Sequence, residues 1–161
     1  MSAGSVPGLV GRPRTAPGAP TAGRVAGGAR VSYRTAVLAH PGLQARRSIV
    51  VAESDTAQAW RSGDVPVLGT PRLVALCEEA ACQAVAGTLG EGRTSVGVSV
   101  QFDHLAPVRI GSEVTAEATL EKVEGRRLVF TVTAADHAGL VGAGRVTRVV
   151  VDMASFLAKA R

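Results

Sequence analysis

Three side chains in this sequence sit where their neighbours would make them reactive: Thr70, Glu78 and His104. Glu78 lies in a run from Thr70 to Val85 whose composition predicts a helix ending near Gly87 or Gly90. Three and four residues away at helical spacing lie Val74, Ala75, Ala81 and Cys82, all apolar. A carboxylate in that company is poorly solvated, which suits it to act as a base or nucleophile. Glu79 faces a less uniform set, Ala75, Leu76, Cys82 and Gln83. His104 ends the alternating run Ser95–His104, sharing a face with Val96, Val98, Val100 and Phe102 and opposite Gly97. It is expected to point toward the helix, where an imidazole can hold or move a proton. Thr70 reads as the helix N-cap, with Pro71 at the first helical position. A helix N-terminus offers unbonded N–H groups and a positive dipole end, which suit a carbonyl oxygen or an oxyanion. Thr70 and Glu78 are separated by about 12 Å of helix rise, so they would bracket a substrate without touching. Each residue also has an ordinary alternative: a solvated glutamate, a satisfied core histidine, a simple cap.

These groups need a scaffold, and the remaining sequence supplies one. A β-type run, Ser48–Ala52, precedes a polar stretch from Glu53 to Gly63 that contains Trp60. The helix has few polar residues (Arg72, Glu78, Glu79 and Gln83), the pattern of a helix buried nearly all round. After Ser95–His104, a second alternating run sets Val114, Ala116, Ala118 and Leu120 against Glu113, Thr115, Glu117, Thr119 and Glu121. Glu124-Gly125 reads as a hairpin turn into Leu128, Phe130, Val132 and Ala134. Asp136–Gly139 turns again into a last strand ending at Val149–Val151. One strand, a buried helix and a four-stranded antiparallel meander make an α+β domain, its sheet wrapped around one long helix. Gly142-Ala143-Gly144 falls inside a strand pattern and reads as close backbone packing, not as a phosphate loop.

Charge and composition narrow the function classes. The chain has 161 residues and a net charge of +5, yet residues 1–47 hold seven arginines and no acid. Residues 48–161 carry 11 basic and 13 acidic side chains, so the excess belongs to the N-terminal segment. Residues 1–43, rich in Gly, Ala, Pro and Arg, are expected to be a disordered tail, 44–152 the domain, and 153–161 an extension. A slightly acidic body with four aromatic residues argues against nucleic-acid binding. No apolar run approaches the roughly 18 residues of a membrane span. Cys77 and Cys82 read as small buried residues in a reducing cytoplasm, and no metal cluster is apparent. His40 and His137 read as ordinary exposed histidines.

One stretch of motifs carries a family likeness. Val65-Pro66-Val67-Leu68-Gly69-Thr70-Pro71 leads into Leu76-Cys77-Glu78-Glu79-Ala80-Ala81; Ser95-Val96-Gly97-Val98, His104-Leu105-Ala106-Pro107-Val108 and Gly111 follow. In order and spacing this resembles the fluoroacetyl-CoA-thioesterase-like branch of the hotdog-fold superfamily, over roughly residues 44–152. The resemblance implies an acyl-CoA thioesterase in which Thr70, Glu78 and His104 form the catalytic group. Either Glu78 or Thr70 would attack first, and His104 would polarise or protonate around the reacting centre. It places Gly97 beside the thioester carbonyl, with Gly69 and Trp60 as further substrate-binding candidates. A homodimer, or a dimer of dimers, with the site at the subunit interface is implied, with acyl-CoA as substrate and no cofactor. Phenylalanines that close the fluoroacetyl-selective pocket are missing from residues 57–69, where Trp60 is the one aromatic. A general acyl-CoA specificity is therefore expected. Two rivals keep the fold: an enoyl-CoA hydratase or dehydratase, and a non-catalytic acyl-CoA-binding module. Arg46, Arg47, Arg72, Arg93 and Arg109 are all candidates for CoA phosphates.

Overall fold

A computed structural model of the chain describes residues 37–161, so most of the expected tail lies outside the described residues. The strands are β1 (Gln44–Val50), β2 (Arg93–His104), β3 (Glu113–Glu124), β4 (Arg127–Asp136) and β5 (Gly139–Asp152). Helix α1 (Thr70–Ala84) connects β1 to β2 after a 3-10 turn at Glu53–Asp55, and short helix α2 (Met153–Leu157) follows β5. The strands form one antiparallel sheet in the order β1-β3-β4-β5-β2. The α+β class is as expected, but the four-stranded meander is not: β3, β4 and β5 run as consecutive neighbours, whereas β2 pairs with β5 at one edge and β1 with β3 at the other.

The core lies where β3 and β4 turn their apolar residues toward α1. Val114, Ala116, Ala118 and Leu120 of β3 and Leu128, Phe130, Val132 and Ala134 of β4 are all buried. Each large side chain among them contributes about 1.5–3 kcal/mol by leaving water. Helix α1 packs mainly on β1 and β3. Its buried residues include Ala80, Ala81 and Ala84. Small side chains on both surfaces let helix and sheet approach closely. Ahead of β1, Ala39 joins the same core, and the Leu38 N–H donates to the Thr88 carbonyl at 2.7 Å.

Three further expectations are corrected. Helix α1 is buried along one side only: Leu73, Leu76 and Cys77 are covered, whereas Glu79, Cys82 and Gln83 are exposed and Glu78 is half-buried. An apolar composition does not itself bury a helix all round, since the sheet of a single protomer covers one flank. Cys82, expected to be buried, therefore lies on the open flank, while burial first and the Glu78 charge second push the Cys77 thiol up to about 12.

The cap of α1 is also displaced by one residue. Gly69, with extended backbone, is the N-cap and makes no side-chain capping bond, and Thr70 is the first helical residue. A Cβ at Gly69 would meet the Ala57 backbone at 3.1 Å, so the tight approach of this turn favours glycine there.

The third correction concerns β2, whose register against β5 shifts between Gly97 and Ser99. Before the shift Ser95 pairs with Val150 and Gly97 with Arg148; after it Val100 pairs with Val146 and His104 with Gly142. Val146, Arg148 and Val150 all face the core side. The bulge at Val98 thus brings Gly97 and His104 to one face of the sheet, where strict alternation would separate them. Val98 and Val100 remain 52% and 39% exposed on this edge strand.

Candidate active site

Thr70 is held in place from both sides of its loop. Leu68 donates its N–H to the Val108 carbonyl at 2.9 Å, and Gly69 donates to the Asp55 carbonyl at 2.9 Å. Thr56 and Val67 make isolated bridges to Leu68 and Arg109. The chain entering α1 is strung between the 3-10 turn and the segment that follows β2. Because Gly69 takes the cap position, the Thr70 hydroxyl is spent elsewhere: its Oγ1 lies 2.9 Å from His104 Nδ1.

His104 reaches this position because β5 is thinned opposite it. A Cβ at Gly142 would meet the Asp103 carbonyl at 2.9 Å and the Phe102 ring. One at Gly144 would strike the Gln101 carbonyl and lie 2.8 Å from the Phe102 Cα. The two glycines serve close packing, as expected. Burial lowers the His104 pKa from its ordinary 6.5, outweighing an opposite pull from the nearby Ala106 backbone. The imidazole is therefore uncharged at neutral pH and can accept the Thr70 Oγ–H at Nδ1. Its Nε2 is buried without a hydrogen-bond partner among the described residues. The pair opens on a cavity of about 310 Å³, lined also by Ala57, Val65, Leu68 and Leu105.

Glu78 belongs to a second group. Its Oε1 accepts a hydrogen bond from Arg148 Nη1 at 2.8 Å. The guanidinium also donates through Nε to Ser95 Oγ at 3.0 Å and through Nη2 to the Ser95 carbonyl at 2.8 Å. Arg148 is 6% exposed and spends three N–H groups on two partners, which fixes the plane in which it meets the carboxylate. The apolar setting expected for Glu78 is thus corrected: the carboxylate is paired, and its side chain is 35% exposed. A Cβ at Gly97 would collide with Glu78 Oε1, so the absent side chain makes room for that oxygen. Glu78 and Arg148 line a cavity of about 580 Å³ with Arg47, Glu79, Cys82 and Gln83.

The sequence reading missed Arg148, although a signal for it exists. In Val146-Thr147-Arg148-Val149-Val150 the arginine occupies the inward position between two core valines. A cation there needs an anionic partner on the element packed over it. Of the other candidates, Gly69 sits beside Thr70, whereas Trp60 lies apart, 44% exposed, donating its indole N–H to the Ser54 carbonyl at 2.9 Å. His40 and His137 are exposed, as expected. The structure therefore assembles two pairs, Thr70 with His104 and Glu78 with Arg148, on separate cavities of one protomer. Among the described residues no cluster of His, Cys, Asp or Glu could hold a metal ion.

Comparison with known proteins bears on both the fold and the chemistry. A family described as fluoroacetyl-CoA-specific thioesterase matches residues 51–154. The fluoroacetyl-CoA thioesterase of Streptantibioticus cattleyicolor is 38% identical over 95 residues, covering 59% of this chain and 68% of that protein. Among solved structures, the fluoroacetyl-CoA thioesterase FlK is similar at TM-score 0.70 and 31% identity, covering 75% of this chain and 94% of that one. A hot-dog-like protein from Thermanaerovibrio acidaminovorans gives TM-score 0.69 at 32% identity, covering 74% and 88%.

Proposed function

The chain belongs to the fluoroacetyl-CoA-specific thioesterase family, whose members are acyl-CoA thioesterases of hotdog fold, and from that premise we propose that Thr70, Glu78 and His104 carry out the hydrolysis. The observation that carries this reading is the 2.9 Å contact between Thr70 Oγ1 and His104 Nδ1 at the N-terminus of α1. A neutral imidazole there accepts a hydrogen bond from the Thr70 hydroxyl, and the first turn of α1 lends its positive dipole end to the thioester carbonyl oxygen. Glu78 supplies the second acid–base group. It either takes a proton from the attacking water, or attacks the carbonyl itself and is freed by water in a second step. Both routes break the C–S bond and consume one water, giving free acid and the CoA thiol. Single turnover in heavy-oxygen water reports the covalent route when water opens the anhydride at the Glu78 carbonyl and leaves label there. Direct attack by water puts all the label in the product acid. Gly97, next to the Glu78 carboxylate, would bring its backbone to the thioester, with Gly69 beside Thr70 on the substrate surface.

Two pairs on separate cavities need a second protomer to make one site. In the homodimer we propose, antiparallel pairing of the two β2 edges would set Thr70 and His104 of one protomer toward Glu78 of the partner subunit. The open flank of α1 and the exposed Val98 and Val100 support that arrangement. No helix of the described residues is long and apolar enough to cross a membrane, and the two cysteines are free. A reducing cytoplasm is the compartment we propose.

The test is thiol release from acyl-CoAs graded by length, charge and aromaticity. A hydrolase liberates free CoA from at least one of them. Formation of 3-hydroxyacyl-CoA from an enoyl-CoA without thiol release would assign a hydratase instead. Binding without turnover across the panel would leave an acyl-CoA-binding module.

A further inference from the structure

The cavity that holds Glu78 contains one cation the hydrolytic reading does not use. Arg47 lies on β1 between Ala45 and Ile49, both of which pack against the core. Strand alternation therefore puts Arg47 on the helix side of the sheet. There its Nη2 donates to Gln83 Oε1 at 2.8 Å, near the end of α1. Gln83 is a neutral acceptor, so the guanidinium gains a position without being neutralised.

Among the other candidates, Arg93 lines a neighbouring cavity with Val85, Gly87 and Leu89, and Arg109 lines neither the Glu78 nor the Thr70 cavity. Arg46, one residue before Arg47, projects to the opposite face and pairs with Glu117. Arg72 is held by Asp55 at 3.0 Å and Glu79 at 3.1 Å, and Arg148 by Glu78 at 2.8 Å. Those pairings remove Arg46 and Arg72 from the candidates for an anionic ligand. Arg47 is left as a charged fork beside the cavity, with no carboxylate partner among the described residues. From Glu78 to Gln83 is about 7.5 Å of helix rise, so an anion at Arg47 and a thioester at Glu78 fit one ligand.

We propose that Arg47 is the anion-recognition residue of this cavity, binding an oxyanion of the thioester substrate while Glu78 meets the reacting carbonyl. This rests on the hydrolase reading above. The shared chemistry is a carboxylate or phosphate oxygen matched to a guanidinium fork. It comes either from the CoA phosphates or from a carboxylate at the far end of the acyl chain.

The experiment compares wild type with Arg47→Gln on matched thioesters. One arm sets an acyl-CoA against the corresponding acyl-pantetheine, which lacks the phosphates. The other sets succinyl-CoA against butyryl-CoA, which has the same carbon count and no carboxylate. Loss of one charge-assisted contact at an exposed site is expected to raise KM about tenfold, with kcat within about twofold. If the phosphates are the ligand, the rise is confined to CoA esters and is absent with pantetheine. If the acyl carboxylate is the ligand, it is confined to succinyl-CoA. Equal losses on all four substrates, a fall in kcat alone, or no change would overturn the proposal. Calorimetric binding of CoA and succinyl-CoA to both proteins keeps the test separate from turnover. A wild type that hydrolyses nothing defeats the hydrolase reading, whereas equal binding by both proteins defeats Arg47.

Discussion

His104 and Arg148 each owe their behaviour to burial, with opposite consequences. Burial keeps the His104 imidazole neutral by lowering its pKa below 6.5, so it can accept a hydrogen bond from Thr70 across the neutral range. As pH falls, the activity that depends on the neutral ring is lost only when the lowered folded-state pKa is reached. The acid limb of kcat/KM attributable to His104 therefore has its midpoint below 6.5, as a pH–rate profile of the wild type would show; a midpoint above 6.5 would exclude the neutral ring. The same shift costs stability in acid. Below 6.5 the unfolded imidazole takes up a proton that the folded one resists. The Arg148 guanidinium is buried, and among the described residues Glu78 and Ser95 compensate that burial. Arg148→Gln would leave the Glu78 carboxylate and the Ser95 carbonyl short of partners. The expected loss is about 2–3 kcal/mol in chemical denaturation, below the cost for a fully buried pair because Glu78 is partly exposed.

At the scale of elements, the bulge in β2 and the glycines around it decide where the site residues point. Gly97 and Gly144 both exclude a Cβ, but for different reasons. At Gly97 the obstruction is the movable end of Glu78, whereas at Gly144 it is the backbone of Gln101 and Phe102. Gly97→Ala should therefore lower kcat by about a hundredfold through a displaced carboxylate, with a Tm within a few degrees of wild type. Gly144→Ala should cost about 1–3 kcal/mol of stability, because strand pairing itself must give way. Comparing Tm and kcat for the two variants checks the contrast, and a Gly97→Ala enzyme of full activity would contradict it. Alternation made β3 and β4 legible almost residue for residue, since one face of each meets the core. The bulge at Val98 was not legible, because the apolar alternation continues unbroken through it. The N-cap was misplaced for a related reason. Thr70 has the chemistry of a cap, and only the proximity of His104 across the fold shows that its hydroxyl is engaged elsewhere.

For the whole molecule, the open flank of α1 and the exposed edge of β2 are where a single protomer looks unfinished. The helix composition called for cover on all sides, and the sheet of one protomer covers one side of it. Glu78 and His104 stand out in the sequence because each interrupts an apolar pattern, and Thr70 because it fits the pattern of a helix cap. Their division into two pairs does not, since it depends on contacts between residues 34 and 70 positions apart. If the β2 edges pair, replacing Val98 and Val100 together by Asp should give a monomer in light scattering. Thiol release should then fall by at least a hundredfold while the far-ultraviolet circular dichroism is retained. A fully active monomer would show that one protomer holds a complete site.

Thiol release by wild type and Glu78→Gln, run side by side on the best acyl-CoA at saturating substrate, tests the central claim most directly. Glutamine can keep the hydrogen bond from Arg148 but cannot take a proton or attack, so kcat should fall by about 10²–10⁴ with the protein still folded. A Glu78→Gln enzyme that releases CoA at the wild-type rate would contradict the assignment of this carboxylate to the reaction.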